Sequence, residues 1–487
     1  VIARVTLSAQ GFLWRHPAIR ANLVRVLGAV ALLVAEMMVG LFIGRGSQML
    51  AFVLVGLPAA YLVVVYQRFG VLLILAAALF VRFKIPTGTA SDVVISMAFT
   101  GLFVTLWLLP KFVIQRRISL LPTAANKPLL LFMATTAIAL IWSNFFRDPL
   151  VRPWGSFPIV QATSTVVILL LGSAFLLIAN TIEDPRILKG MVVLFLLASV
   201  PGYLGLEFVQ TRGVFTMWVI ALAYSQALFN RRLPWWLRLA CLGLTALWVE
   251  WSLLRRLTWL SSWVPAMVVL ALLTFLRSRK LFLILMIVAV AFLFTQRYVI
   301  ESAFAAEQDE SGHTRIDAWA VNWRVTGKHL LFGTGPAGYA AYYMSYWPNE
   351  GMATHNNYVD ILAEMGVVGL FFYLWFFGAV LWSAYRLFRR LRDRWDFDTA
   401  YTAAVFIGGI GVMIVMGLGD WVIPFAYTQG IEGYDYALYS WLFMGGLYVV
   451  ERLAQPEPAP DTSLDTENRR EGTEIRREST KTLRVPL

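Results

Sequence analysis

The sequence predicts an all-α protein that crosses a membrane many times, with about 12–14 transmembrane helices and one large extracytoplasmic helical loop. Three observations predict it. Of the 487 residues 59% are hydrophobic and only 14% charged, where soluble domains carry roughly 25% charged residues. The apolar residues fall in blocks of about 16 to 22, long enough to cross a hydrocarbon core as helices. The blocks lack the period-2 alternation of barrel strands, and a bilayer admits only helices or closed barrels, because each backbone N–H and C=O needs a partner inside the protein.

Fourteen candidate spans follow in order: 24–44, 48–66, 69–83, 92–110, 128–143, 160–180, 188–207, 213–229, 236–253, 258–276, 280–297, 365–385, 399–419 and 436–451. Span 69–83 is short, as a tilted or buried helix would be. Residues 1–23 form a polar, basic N-terminus that runs straight into the first span, without the pattern of a cleavable signal. The chain thus divides into an N-terminal bundle (24–297), a large loop (298–364), C-terminal spans (365–451) and a tail (452–487). The tail opens on Pro456, Pro458 and Pro460 and continues in Glu, Arg, Thr and Asp; it lacks the apolar surface to fold and reads as a solvated, disordered cytoplasmic segment. Single Cys241 lies inside an apolar block and forms no internal disulfide.

Orientation follows from the basic residues of short loops. With the N-terminus inside, the inside loops hold Lys111, Arg116, Arg117 and Lys127; Arg231 and Arg232; Arg277, Arg279 and Lys280; and Arg386, Arg389, Arg390, Arg392 and Arg394. The opposite loops carry mostly single basic residues, with acidic Asp420, Glu432 and Asp435. Tryptophans near span ends (Trp14, Trp142, Trp154, Trp235, Trp236, Trp259 and Trp347) match an interfacial belt. Both termini are expected in the cytoplasm of a bacterial inner membrane, and residues 298–364 outside.

That loop holds three of the four histidines, His313, His329 and His355; the fourth is His16. Trp319, Trp323, Phe332, Tyr339, Tyr342, Tyr343 and Trp347 give it enough apolar surface to fold. Thr314-Arg315-Ile316-Asp317 fits a capping box, and Ile316, Trp319, Ala320 and Trp323 share one face of the helix it would open, lying on the membrane or on the bundle. Gly333, Gly335 and Pro336 end that run. Such a turn either cradles a phosphate or simply reverses the chain, and the second is the commoner use. Asn356 or Asn357 suits an N-cap, which leaves His355 just ahead of a helix entering the membrane near Gly366. A neutral imidazole there either accepts a proton from a hydroxyl near pH 7 or is a plain polar residue at a helix mouth.

The stretch from Arg315 to Gly369 resembles the signature loop of the O-antigen ligase and O-antigen polymerase family. The resemblance rests on Arg315 with Trp319, Leu331-Phe332-Gly333-Thr334-Gly335-Pro336, His355-Asn356-Asn357-Tyr358, and Glu364-Met365-Gly366-Val367-Val368-Gly369-Leu370. It implies a glycan transferase acting outside the cytoplasm on polyprenyl-pyrophosphate-linked sugars. It also implies that His355 is the essential histidine and Arg315 one essential arginine, with Asn356, Tyr358 and Glu364 in support. A second family arginine sits in Ser-Arg-x-x-Trp-Leu; here Arg255-Arg256-Leu257-Thr258-Trp259-Leu260 makes Arg256 the better match, with Arg255 in place of the usual serine. Arg212, at the outer end of another span, is a weaker candidate.

These arginines also have a reading of their own. Long guanidinium side chains snorkel to interfaces, yet two adjacent ones in an outside turn run against the charge rule. Guanidinium binds phosphate oxygens bidentately and keeps its charge, so Arg315 with Arg256 or Arg255 would stabilise a departing pyrophosphate without metal or cofactor. The histidine spacings of the loop match no zinc pattern, and Asp396-Phe397-Asp398 reads as a surface charge cluster. Glu36 and Glu250 are the acids that would line a polar cavity within the spans.

The expected partners are therefore a polyprenyl-pyrophosphate-linked glycan donor, a lipid or glycan acceptor such as lipid A-core, and membrane lipids, with no nucleic acid. The leading expectation is an O-antigen ligase-like glycosyltransferase. A polymerase of the same family and a protein O-oligosaccharyltransferase share the motif. The rival from another class is a polysaccharide transporter or flippase, which would call for inverted repeats and charged midplane helices; the sequence shows no such symmetry, and Glu36 is the acid clearly deep in a span.

Overall fold

A computed structural model describes residues 69–86, 92–257, 259–298, 301, 313–350, 352–419, 421–428 and 430–454. The expected spans 24–44 and 48–66, Glu36, Trp14, His16, Asp420 and the tail from 455 lie outside the described residues. Among the described residues fourteen α-helices account for nearly all regular structure, and eight are long and apolar enough to cross a membrane.

In chain order they are α1 (Gly70–Phe80), α2 (Ile95–Val113), α3 (Asn126–Phe145), α4 (Phe157–Thr181), α5 (Pro185–Tyr203), α6 (Phe215–Phe229) and α7 (Trp235–Glu250). Then come α8 (Leu260–Arg277), α9 (Arg279–Thr295), α10 (His313–Thr326), α11 (Gly338–Tyr346), α12 (Asn357–Leu391), α13 (Phe397–Leu418) and α14 (Tyr434–Leu453). The span expected at 92–110 starts later, because β1 (Lys84–Pro86) and β2 (Asp92–Val94) pair as a short antiparallel hairpin. Asp92–Val94 carries two β-branched valines, which suit a strand better than a helix start.

Two helices are buried nearly all round. In α6 almost every side chain from Phe215 to Phe229 is covered, and Trp218 lies against Phe443 with its indole N–H donating to Ser440 Oγ at 3.0 Å. α14 is buried from Tyr434 to Val450, with Gly445 closed against the Phe175 backbone of α4; a Cβ there would sit 2.8 Å from Phe175 O. An apolar helix buried on every side belongs to the middle of a bundle. α9 is the opposite case, exposed along most of its length, as a helix facing lipid would be.

α12 breaks at Gly366 (φ 66°, ψ −170°), which divides a first segment, 357–365, from the span below. The break removes the bonds that Ala363 and Glu364 carbonyls would receive from one turn on. The Gly-rich turn replaces them: Thr334 N donates to Ala363 O at 2.8 Å and Gly335 N to Glu364 O at 2.9 Å. In return Val367 N donates to Leu330 O at 2.8 Å and Val368 N to Leu331 O at 3.4 Å. The approach is too close for side chains: a Cβ on Gly366 would lie 2.3 Å from Leu331 O, and one on Gly333 2.4 Å from Glu364 C. The turn therefore spends its N–H groups on a broken helix rather than on a phosphate.

Candidate functional site

One end of the molecule carries an outer layer built from α10, α11, the first segment of α12 and the loop after α13. α10 packs through Ala318, Val321, Asn322 and Val325, while Ile316, Trp319 and Trp323 face outward at 62%, 40% and 62% exposure. The apolar stripe read from the sequence is thus turned away from the bundle. Trp319 still reaches inward through its indole N–H, which donates to Thr354 O at 2.8 Å. That bond ties the first turns of α10, where half-buried Arg315 sits, to the strand of chain leading into His355.

His355 is half-buried with a left-handed backbone (φ 47°), an uncommon state for a residue with a Cβ. Its neighbours fix that conformation. Asn356 is the N-cap, its Oδ1 accepting from Tyr358 N at 3.0 Å and Val359 N at 3.3 Å. Asn357, fully buried, clamps the loop after α13: Oδ1 accepts from Val422 N at 3.1 Å and Ile423 N at 3.3 Å, and Nδ2 donates to Ile423 O at 2.9 Å. Tyr358 OH donates to Met413 O of α13 at 2.7 Å. Asp360 accepts from Tyr427 OH at 2.7 Å and from Thr354 Oγ1. Burial, followed by the nearby Asp360 carboxylate, pushes the Tyr427 phenol well above its ordinary value and keeps it a donor. Glu364 is buried beside the Ala337 backbone, under the Gly-rich turn.

A second constellation lies at the same end. The last turn of α7 opens into a π-helical turn, Trp251–Arg255, an irregularity that often marks functional positions. It sends the two adjacent arginines different ways. Arg255 lies 5.0 Å over the Tyr203 ring and 3.6 Å from Glu250, which also accepts from Tyr203 OH at 2.8 Å. Arg256 stands between two indoles, 5.2 Å from the Trp251 ring centre and 5.1 Å from that of Trp259. It lines a cleft with Arg212, Thr211, Ser261, Ser262 and Trp421. Among the described residues no carboxylate lies within ion-pair distance of Arg212 or Arg256. Two unspent guanidiniums and three hydroxyls therefore line one cleft, the donor types that hold an anion where one binds.

Trp421 joins the two constellations. It walls the arginine cleft, packing on Trp259 and Tyr436 at 6.1 and 6.0 Å, and the next residue, Val422, is held by Asn357. Residues 241–374 match the family model described as O-antigen ligase. The chain carries an O-antigen ligase family domain. No curated protein matches the sequence. The ligase-family stretch runs from Cys241 in α7 to Leu374 in α12, so it takes in Arg255, Arg256, Arg315, His355 and Glu364; Arg212 and the Trp421 loop lie outside it.

Of the residues singled out from the sequence, Arg256 and Arg212 share the cleft, Arg255 is committed to Glu250 and Tyr203, and Asn356 and Tyr358 hold the backbone around His355. Asp360, Trp251 and Trp421 were not among them. Asn357 reads as a cap in sequence, and only the long-range pairing reveals the clamp. His329 packs edge-on against Tyr342 at 4.8 Å, away from any metal-like grouping, and among the described residues no cluster of three His, Cys, Asp or Glu could hold an ion. Asp396 caps α13 through Thr399 N at 3.1 Å and pairs with Arg394 at 2.9 Å, which accounts for the D-x-D pattern.

Proposed function

We propose that this membrane enzyme of the O-antigen ligase/polymerase type is a ligase-like glycosyltransferase working at the extracytoplasmic face. It would move a glycan from a polyprenyl-pyrophosphate carrier to an acceptor hydroxyl, of lipid A-core or a similar molecule. The observation that supports the reading is the Trp421–Val422 link, in which Trp421 walls the arginine cleft and Val422 is held by Asn357, two residues from His355.

In the proposed reaction His355 takes the acceptor hydroxyl's proton as its oxygen bonds to the anomeric carbon. The C1–O bond to the carrier breaks and its electron pair leaves on the pyrophosphate, inverting the sugar carbon. Arg256 and Arg212 hold the phosphate oxygens, with Arg315 beside the incoming strand. Fixed guanidiniums favour the charge that develops on the leaving group without reorganising. The serine and threonine hydroxyls of the cleft would complete the anion's hydrogen bonds.

The test is a deletion strain complemented with wild type or His355→Ala. Loss of glycan from its acceptor, with long lipid-linked chains accumulating, is the expected outcome of both the deletion and the variant at normal membrane levels. Accumulation of single-repeat carrier would make the enzyme a polymerase instead. Full transfer by His355→Ala would remove the histidine from the mechanism.

A further inference from the structure

At the end of the bundle away from the site, a groove of about 860 Å³ opens between α5 and α7. Its walls are aliphatic along most of its length, with Val193, Leu196 and Leu197 on one side and Leu237, Leu244 and Leu247 on the other. Several of these are exposed, Leu197 at 64% and Val193 at 54%. The mouth is charged: Lys189, Arg232, Arg394, Asp396 and Asp398 line it.

The charges at the mouth do not cancel. Arg394 pairs with Asp396 at 2.9 Å and with Asp398 at 3.1 Å, and Asp396 also caps α13. Arg232 is 3.7 Å from the already paired Asp396 and 72% exposed, and among the described residues no carboxylate is within ion-pair distance of Lys189. Three cations thus face two carboxylates, which leaves one net positive charge where the groove meets the interface.

A second, independent feature lies one helical turn deeper. Asn230 Nδ2 donates to Gln226 Oε1 at 2.7 Å, and both residues line the groove at 4% and 3% exposure. The remaining atoms, Gln226 Nε2 and Asn230 Oδ1, have no hydrogen-bond partner. Exchanging the amide N and O assignments leaves the same remainder, one donor and one acceptor. Buried polar atoms are almost always satisfied, so an unmatched pair facing a groove calls for a ligand with matching groups.

We propose that this groove is a binding site for one anionic glycerophospholipid of the adjacent leaflet. Its phosphate sits at Lys189 and Arg232, and an acyl chain runs along the aliphatic walls. An ester carbonyl accepts from the free amide N–H. The depth order (cations, then amides, then aliphatic walls) is the order of groups in such a lipid. The site is separate from the arginine cleft: Lys189 and Arg232 stand at the opposite ends of α5 and α7 from Tyr203 and Glu250, on the order of 20 Å away.

The experiment uses the full chain in phosphatidylcholine vesicles containing a minor fraction of phosphatidylglycerol with a photoreactive acyl chain. Label should concentrate in peptides of α5 and α7 rather than in lipid-facing α9. It should fall roughly tenfold in Lys189→Gln/Arg232→Gln and in Gln226→Leu, the scale of a lost charged or buried polar contact, while α9 labelling stays constant. Equal labelling of α5, α7 and α9 overturns the site. So does equal labelling of the wild-type groove by photoreactive phosphatidylcholine, a comparison that needs no variant to fold.

Discussion

Residue by residue, neighbours in sequence turn out to have different work. Arg255 and Arg256 are adjacent, yet one is neutralised by Glu250 and the other is held between Trp251 and Trp259 with its charge unspent. Arg256→Ala should therefore cut donor use by roughly tenfold or more, the scale of a lost charge-assisted bond to phosphate. Arg256→Lys should recover only part, since the fork is lost. Arg255→Ala should change transfer by less than about threefold, because its partner is on the protein. Initial rates against donor concentration check all three, and a larger loss at Arg255 would reverse the assignment. The sequence pattern favoured Arg256 but could not choose, because the π-turn that parts the pair is a backbone event. The clamp made by Asn357 escaped notice for a similar reason: beside Asn356 it looks like a spare cap, and its partners lie 65 and 66 residues away.

Among elements, the outer layer is fastened to the spans through polar contacts as well as packing. The 146–156 connection is tied to α11: Tyr346 OH donates to Asp148 Oδ2 at 2.7 Å, and Asp148 N donates to Tyr342 OH at 3.0 Å. The Leu150 N–H, and after it the Tyr346 hydroxyl, hold the Asp148 carboxyl below its ordinary value. Burial, partly offset by Asp148, pushes His329 below its ordinary 6.5. Both shifts have the same sign in linkage. A depressed carboxylate stabilises above its unfolded value and loses that as pH falls; a depressed imidazole leaves the unfolded chain binding more protons below about 6.5. The unfolding midpoint should thus fall as pH drops from about 7.5 to about 3, in the outer layer first, with the His329 part below about 6.5 and the Asp148 part below about 4. His329→Asn should flatten the upper part of that slope and Tyr346→Phe the lower part. Unchanged slopes in both variants would detach these groups from the effect. The helical character of this layer was legible from the spacing of its tryptophans. The direction α10 faces was not, since both its faces are apolar enough to pack, Ala318, Val321 and Val325 against Ile316, Trp319 and Trp323.

For the whole molecule, most spans from 128 onward coincide with helices because hydropathy alone decides that a segment must satisfy its own backbone in lipid. Pairings between spans follow no such rule and were invisible in sequence. Arg231 and Arg277 meet at one end of the bundle, 4.0 and 4.9 Å from the Trp395 ring, and the candidate site lies at the other. Single cysteines placed at 349 and 393 in a Cys241→Ser background should react with a membrane-impermeant maleimide from outside at the first position only. The reverse pattern would put His355 in the cytosol and end the proposed chemistry. The exchange of backbone bonds at Gly366 has a last consequence. Because the turn at 330–335 completes a helix that is otherwise broken, the outer layer is not a module set on top of a finished bundle. Cut away, it would leave the membrane segment beneath with orphaned carbonyls, and grafted onto another span it would find nothing to complete. Substitutions that leave this layer folded are therefore confined to side chains and to the connections around it, with the 330–335 seam kept whole.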